Sequence, residues 1–342
     1  MYKITSLVIA EASKIKKTGK ETPPPADPKS APHYLEKTIP QQFLIGKEKV
    51  KIDGYTTELM VKTYHPDAIL VEGTIELSEL FTEKTLEIKA KLIKACLASA
   101  KKNGAREDMA EEYTIYQISG YSGDPELFLQ QSGHEIARLL KAEKMPLDEK
   151  EVEYTLSFQF KYNKDDLMIV DWDGAFVFDP SGEFKEDIEL LSLANYQLLR
   201  YRILDEDLSE RMKKISKVVQ LDKTKLWGLI PSKEVTEEFK DLIKIRTQSI
   251  SQFDSLESTM KLKGDWYSAR IYGLISKKFR LESWKEAVKE KMDSLEDVYD
   301  IAAENLGMSK LQRLELVQIW AFFFLQIGWL TILILEFFYY AK

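Results

Sequence analysis

The sequence predicts an α+β domain, then an α-helical bundle or coiled-coil stalk, then one C-terminal transmembrane helix. Three observations predict it. Strand-like alternation and helix-like periodicity are interleaved over residues 1–183. Apolar residues then recur with a heptad rhythm over residues 184–308. Finally, residues 316–335 contain no charged side chain. The composition fits: 44% of the 342 residues are hydrophobic and 31% charged, which is globular rather than disordered. The mean hydropathy of -0.30 confines any membrane segment to a small part of the chain. A net charge of -7 and a pI of about 5.4 argue against a duplex DNA binder, which needs a basic face.

The first segment, Tyr2 to Ala10, reads as a β-strand. Ala10-Glu11-Ala12 mimics a signal-peptide cleavage site, but the apolar run is short and only Lys3 precedes it. Residues 14–33 read as a disordered linker, because Lys14, Lys16, Lys17 and Lys20 followed by Pro23, Pro24, Pro25 and Pro28 bury too little surface to fold. The same lysines are a candidate contact for anionic lipid. Val50 to Leu77 is strand-like, with turns at Asp53-Gly54 and at His65-Pro66-Asp67. Thr82 opens a helix that runs to Asn103-Gly104. Tyr113 to Ser119 alternates as a strand, and Asp124-Pro125 starts a second helix that ends before Pro146. Tyr154 to Tyr162 and Leu167 to Phe178 then read as two strong strands.

The helical part carries Leu191, Ala194, Leu198, Tyr201, Leu208, Met212, Ile215 and Val219 at heptad spacing, with Asp205 in one core position. Val235 to Met260 continues the pattern, and Leu262-Lys263-Gly264-Asp265 suits a hairpin. The third helix has a seam of Leu281, Val288, Met292, Leu295 and Tyr299, which must be covered by other helices or by a second copy. Gly307 is expected to end it, and Ser309-Lys310-Leu311-Gln312 to cap a new helix.

That last helix is the membrane anchor. At 1.5 Å per residue, about 20 residues cross a hydrocarbon core of about 30 Å. Leu316, Trp320, Phe323, Trp329 and Leu335 give it its apolar surface, and Tyr339 belongs to an aromatic group suited to the headgroup level. Lys310 and Arg313 precede the span and Lys342 follows it, which leans the bulk of the chain towards the cytoplasmic or matrix side.

Catalytic signatures are sparse. Cys96, the single cysteine, falls among apolar helix positions and reads as a core residue; it allows no intrachain disulfide. His33, His65 and His134 have no zinc-ligand spacing, His134 reads as a surface or packing residue, and no cofactor or metal is expected. No phosphate-binding glycine loop, HExxH or GxSxG occurs. The one lookalike is Leu167-Met168-Ile169-Val170-Asp171-Trp172-Asp173-Gly174, which resembles the first motif of haloacid-dehalogenase-type phosphotransferases. That resemblance makes Asp171 a suspected nucleophile and Asp173 a suspected acid. Ala175 departs from the motif, and the mainly helical pattern after Lys185 leaves no place for that family's later strands. The expectation is therefore structural: both carboxylates face water on a hairpin, and Asp171→Asn changes stability by no more than about 0.5 kcal/mol.

Trp266-Tyr267-Ser268-Ala269-Arg270-Ile271-Tyr272, Arg280-Leu281-Glu282-Ser283-Trp284, Lys291-Met292-Asp293-Ser294-Leu295 and Arg313-Leu314-Glu315 stand in that order before the tail. In this the C-terminal part, about residues 186–338, resembles the required-for-meiotic-nuclear-division family of mitochondrial and prokaryotic proteins. The N-terminal half departs from that family's order of elements. The resemblance implies membrane attachment and, by analogy, ribosome tethering; it supplies no catalytic residues. The heptad seam itself predicts a protein partner or homo-oligomer. The expected role is a membrane-anchored, non-enzymatic scaffold. The alternatives are a membrane-proximal hydrolase or phosphotransferase using Asp171 and Asp173, and a ligand-binding sensor.

Overall fold

The computed structural model describes residues 1–12, 20–22, 42–65, 67–224, 247 and 266–340, with residues 20–22, 215–224, 266, 298–313 and 338 described by their backbone alone. The chain divides into two units. The first comprises the described residues of Met1–Leu204 and Phe253–Ala287, the second those of Asp205–Gln252 and Val288–Lys342.

The first unit is built outward from β1 (Tyr2–Glu11), which pairs antiparallel with β5 (Ala68–Leu77) on one side and with β6 (Ala110–Ile118) on the other. Residues Ile4 to Ala10 are all buried, because this strand is covered on both faces. A continuous rather than alternating apolar run follows from that position. β3 (Gln42–Ile52) and β4 (Tyr55–Tyr64) form a hairpin closed by Asp53 and Gly54, at φ 48° and 89°. Positive φ at both turn residues matches the right-handed twist of the flanking strands. With β2 (Lys20–Thr22), β7 (Gln159–Phe160), β8 (Leu167–Val170) and β9 (Gly174–Phe178), the sheet has nine strands among the described residues, in the order β2-β3-β4-β5-β1-β6-β9-β8-β7. All neighbours are antiparallel except β6 and β9 (Gly174–Phe178), which run parallel.

Two expectations change here. Lys20–Thr22, inside the expected linker, forms the short strand β2 against Gln42–Leu44; the rest of that linker and His33 lie outside the described residues. The expected strand over Tyr154 to Tyr162 begins as helix: α3 spans Glu149–Ser157, and only Gln159–Phe160 is strand, β7. The apolar alternation there is real, but Asp148 caps the helix by accepting from the Lys150 N–H at 3.0 Å, with Glu149 and Glu151 in the first turn. Val152 and Thr155, one helical turn apart, are the buried pair.

One sheet face is covered by α1 (Glu83–Lys102) and α2 (Glu126–Leu140). Leu92, Cys96 and Leu139 meet Ile4, Val71, Tyr116 and Phe176 in that core. Burial pushes the Cys96 thiol up to about 12. The other face meets the N-terminal half of α4 (Lys185–Thr224) and α5 (Trp266–Lys278). Tyr64 and Tyr196 rings lie 5.4 Å apart there, Arg200 pairs with Asp67, and Arg202 with Glu111. Thus Leu191, Ala194, Leu198 and Tyr201, which keep a heptad rhythm in sequence, are buried in the first unit with the sheet.

α6 (Leu281–Tyr340) is one helix of 60 residues; its residues to Ala287 belong to the first unit and those from Val288 to the second. It runs through Gly307 and Ser309, so the expected break is absent; a glycine inside a helix costs only about 1 kcal/mol relative to alanine. Lys291 Nζ lies 2.5 Å from Asp205 Oδ1 and 2.8 Å from Ser209 Oγ, which gives the expected seam-breaking aspartate a partner on α6. Within the seam, Leu281, Val288 and Leu295 are buried and Met292 is half-buried. The Tyr299 side chain, the Val235–Met260 helix and the Gly264 hairpin lie outside the described residues. Leu314–Phe337, 24 residues of mean hydropathy 1.9, is long and apolar enough to cross a membrane, and none of it is buried by protein. Leu316, Trp320, Phe323, Trp329, Leu335 and Tyr339 are all exposed on it.

Candidate functional site

β8 (Leu167–Val170) and β9 are joined by Asp171, Trp172 and Asp173, a turn tightened by the Asp171 N–H donating to the Gly174 carbonyl at 2.8 Å. Gly174 is required where it stands: a Cβ would sit 2.6 Å from the Thr114 carbonyl oxygen across the parallel β6–β9 contact. The turn sends its two carboxylates to different environments. Asp173 is exposed, whereas Asp171 is only 1% exposed. The solvent-facing expectation fails for Asp171, because β8 packs under the end of α5 and brings a cation to the carboxylate.

That cation is Lys278, the last residue of α5. Its Nζ lies 2.6 Å from Asp171 Oδ1, in ion contact but outside hydrogen-bond alignment. Lys141, at the end of α2, approaches Asp171 Oδ2 at 3.2 Å and Glu151 at 2.9 Å. Desolvation alone would lower the Lys141 pKa, but its bonds to Glu151 and Asp171 outweigh burial and raise it. The Lys278 ammonium lies 4.1 Å from the Phe158 ring centre and 4.9 Å from that of Tyr154, so aromatic faces supply part of its solvation. Next to it, Phe279 packs edge-on to Tyr113 at 5.5 Å and stacks with Trp172 at 6.2 Å. Tyr113 also donates its hydroxyl to the Asp171 carbonyl at 3.1 Å.

Chemically this arrangement is a clasp. A carboxylate neutralised by two ammonium groups is a poor nucleophile, and its partner Asp173 points away into solvent. Among the described residues no group of three or more His, Cys, Asp or Glu is placed to hold a metal ion. His134 is exposed, 3.6 Å from Glu149, as a surface residue. Sequence reasoning singled out Asp171 but missed Lys278 and Lys141. Lys278 lies 107 residues beyond Asp171, and no local pattern links them.

A second feature is a cleft of about 310 Å³ between the β7–β8 turn and the starts of α4 and α5. Asp165, Asp166, Asp179 and Asp187 line it together with Tyr162 and Tyr267. Tyr267 donates to Asp187 at 3.2 Å; burial, then the Asp187 charge, raise its phenol well above the usual value.

Sheet, clasp and tail define a class: an α+β domain carried on the same chain as an apolar helix of membrane-spanning length. Residues 6–185 match the family described as "Uncharacterized protein MJ0711, N-terminal domain", and the chain belongs to that family. It is 30% identical over 275 residues to uncharacterized protein MJ0711 of Methanocaldococcus jannaschii, covering 79% of this chain and 80% of the relative. No solved structure matches the chain. The segments that resemble the meiotic-nuclear-division family, residues 186–338, lie beyond the matched domain.

Proposed function

We propose that this protein is a single-pass membrane scaffold, whose sheet domain binds a protein partner while α6 fastens it to the bilayer with the bulk of the chain on the cytoplasmic or matrix side. The observation that carries the reading is the Leu314–Phe337 segment, uncharged over residues 316–335 and unburied. In water such a surface is strongly unfavourable, at about 25 cal/mol per Å² of exposed apolar area. In hydrocarbon it is solvated, and the helix satisfies its own backbone. A non-enzymatic role is supported by the neutralisation of Asp171 by two lysines. Burial of Leu281, Val288 and Leu295 within one chain favours a stalk that needs no second copy.

Deleting residues 312–342 is expected to move the protein from the carbonate-resistant membrane pellet to the soluble fraction. If the truncated chain still pellets with membranes after carbonate, the tail is not the anchor.

The tyrosine- and carboxylate-lined cleft favours a second reading, a sensor of a small organic cation. A thermal-shift screen of organic amines tests it. A shift abolished by Tyr267→Leu supports the sensor; no shift from any amine removes it.

A further inference from the structure

Gln318, Gln326 and Thr331 carry the amide and hydroxyl groups of the uncharged stretch over residues 316–335. Their circumstances differ. Thr331 donates its hydroxyl to the Ile327 carbonyl at 2.7 Å, one turn back on its own helix. Gln318 lies eight residues before Gln326, about 12 Å along the axis and within reach of the headgroup level. Gln326 stands at the midpoint of Leu314–Phe337, where in a bilayer neither water nor a headgroup reaches it. Its side chain is exposed and has no hydrogen bond among the described residues. No other stretch of the sequence is uncharged over the roughly 20 residues that a span needs, so no second segment of the same chain enters the hydrocarbon to meet it. An amide left there without a partner is strongly disfavoured.

Gln326 is set in a seam. Ile319, Phe322, Gln326, Trp329 and Leu333 recur at steps of three and four residues, so they share one side of the helix, and all of them are exposed. Ala321 and Gly328, the small residues of the span, lie on the other side. Apolar residues at these steps with one polar residue among them match two supercoiled helices, in which the polar residue fixes register and the number of strands. Copies of one chain insert in one direction and to one depth, so in a parallel two-fold pair each Gln326 meets its counterpart at the same level. A carboxamide offers both donor and acceptor, and two of them therefore satisfy each other across the axis. The span of a different protein meets this need only if it holds a polar group at that same depth.

We infer that the Gln326 face of α6 docks a second copy of this chain within the bilayer, the two Gln326 amides bonding each other at the centre of a parallel helix pair. The inference rests on the membrane reading and deepens it by naming the partner that the anchor takes. Leu281, Val288 and Leu295 are already buried within one chain, which leaves the pairing to the span. Such a pair brings two sheet domains to one anchor.

The experiment uses the full chain and two readouts. Carbonate extraction of membranes reads the anchor, and sedimentation equilibrium in density-matched detergent micelles reads the pairing. The unaltered chain is expected to resist carbonate and to sediment as a dimer. Gln326→Leu is expected to stay in the pellet while its dissociation constant rises about three- to thirtyfold, whereas Gln326→Asn, Gln318→Leu and Gly328→Leu stay within about threefold of the unaltered chain. In phosphatidylcholine vesicles under a mild oxidant, Ile319→Cys and Leu333→Cys are expected to form disulfide-linked dimers and Ala321→Cys and Gly328→Cys are not, measured against the unaltered chain with its buried Cys96. A carbonate-resistant chain that sediments as a monomer at every concentration overturns the pairing and leaves the anchor standing; a chain extracted by carbonate overturns both. An unchanged dissociation constant for Gln326→Leu, or cross-linking strongest at Ala321→Cys and Gly328→Cys, overturns the Gln326 face.

Discussion

Ile4–Ala10 and Leu316–Leu335 are both uncharged and mostly apolar, and they have opposite fates. Every residue of the first is buried, between two strands and under helices on both sheet faces. None of the second is buried by protein. Apolar composition therefore does not decide where a segment goes; the available cover does. β1 hides its backbone groups only by pairing with β5 and β6, so it needs the domain around it. A helix satisfies its backbone internally and can leave the protein for lipid. Local polarity repeats the lesson in the turn Asp171-Trp172-Asp173: two carboxylates two residues apart, one clasped in the interior, one in water.

The sharpest way to break this comparison is at the clasp. Asp171→Asn leaves the Lys278 ammonium buried beside rings alone, and removal of one partner of a buried pair costs about 3–5 kcal/mol. Urea titration read by hydrogen exchange of the β8 and β9 amides measures it. Replacing both residues, Asp171→Leu with Lys278→Met, is expected to recover most of the loss. A cost for Asp171→Asn below about 0.5 kcal/mol would restore the solvent-facing view.

Next in size is a leucine at each end of the comparison. Leu92→Ala, in the α1 core at 0% exposure, is expected to cost about 2–5 kcal/mol in the same titration. Leu330→Ala, on the span at 59% exposure, is expected to change the sheet domain's stability in detergent by less than about 0.5 kcal/mol. Equal costs would mean that the span is covered by protein after all.

The smallest effect concerns Cys96. Its folded pKa, raised to about 12 by burial, exceeds the ordinary thiol value of about 8.5, so the folded state holds the proton more tightly. This contribution is fully present below about pH 8.5 and is lost as pH rises towards about 12. Labelling by a thiol reagent at pH 8 should therefore follow transient opening of the core. A rate matching that of a free thiol would contradict the burial.

Much of the fold is legible because its signals are local. Asp53-Gly54 marks a hairpin, Thr82 and Asn103 bound α1 as expected, and Asp124-Pro125 leads into α2. The errors arise where two local signals compete. Tyr154 to Tyr162 alternates like a strand, yet the Asp148 cap starts a helix there, and Gly307 is a stop signal that α6 overrides. The candidate site was half legible: the turn stood out, but not its burial or its partners.

By itself the sequence determined periodicity, caps, turns and an uncharged run long enough to span a bilayer, all properties of residues within a few turns of one another. Only the tertiary structure decided which carboxylate is buried and that Lys278 and Lys141 converge on it. Those depend on chain segments about 30 to more than 100 residues apart being folded onto one sheet, and the energies that select such contacts, desolvation and pairing, do not exist until the sheet is assembled.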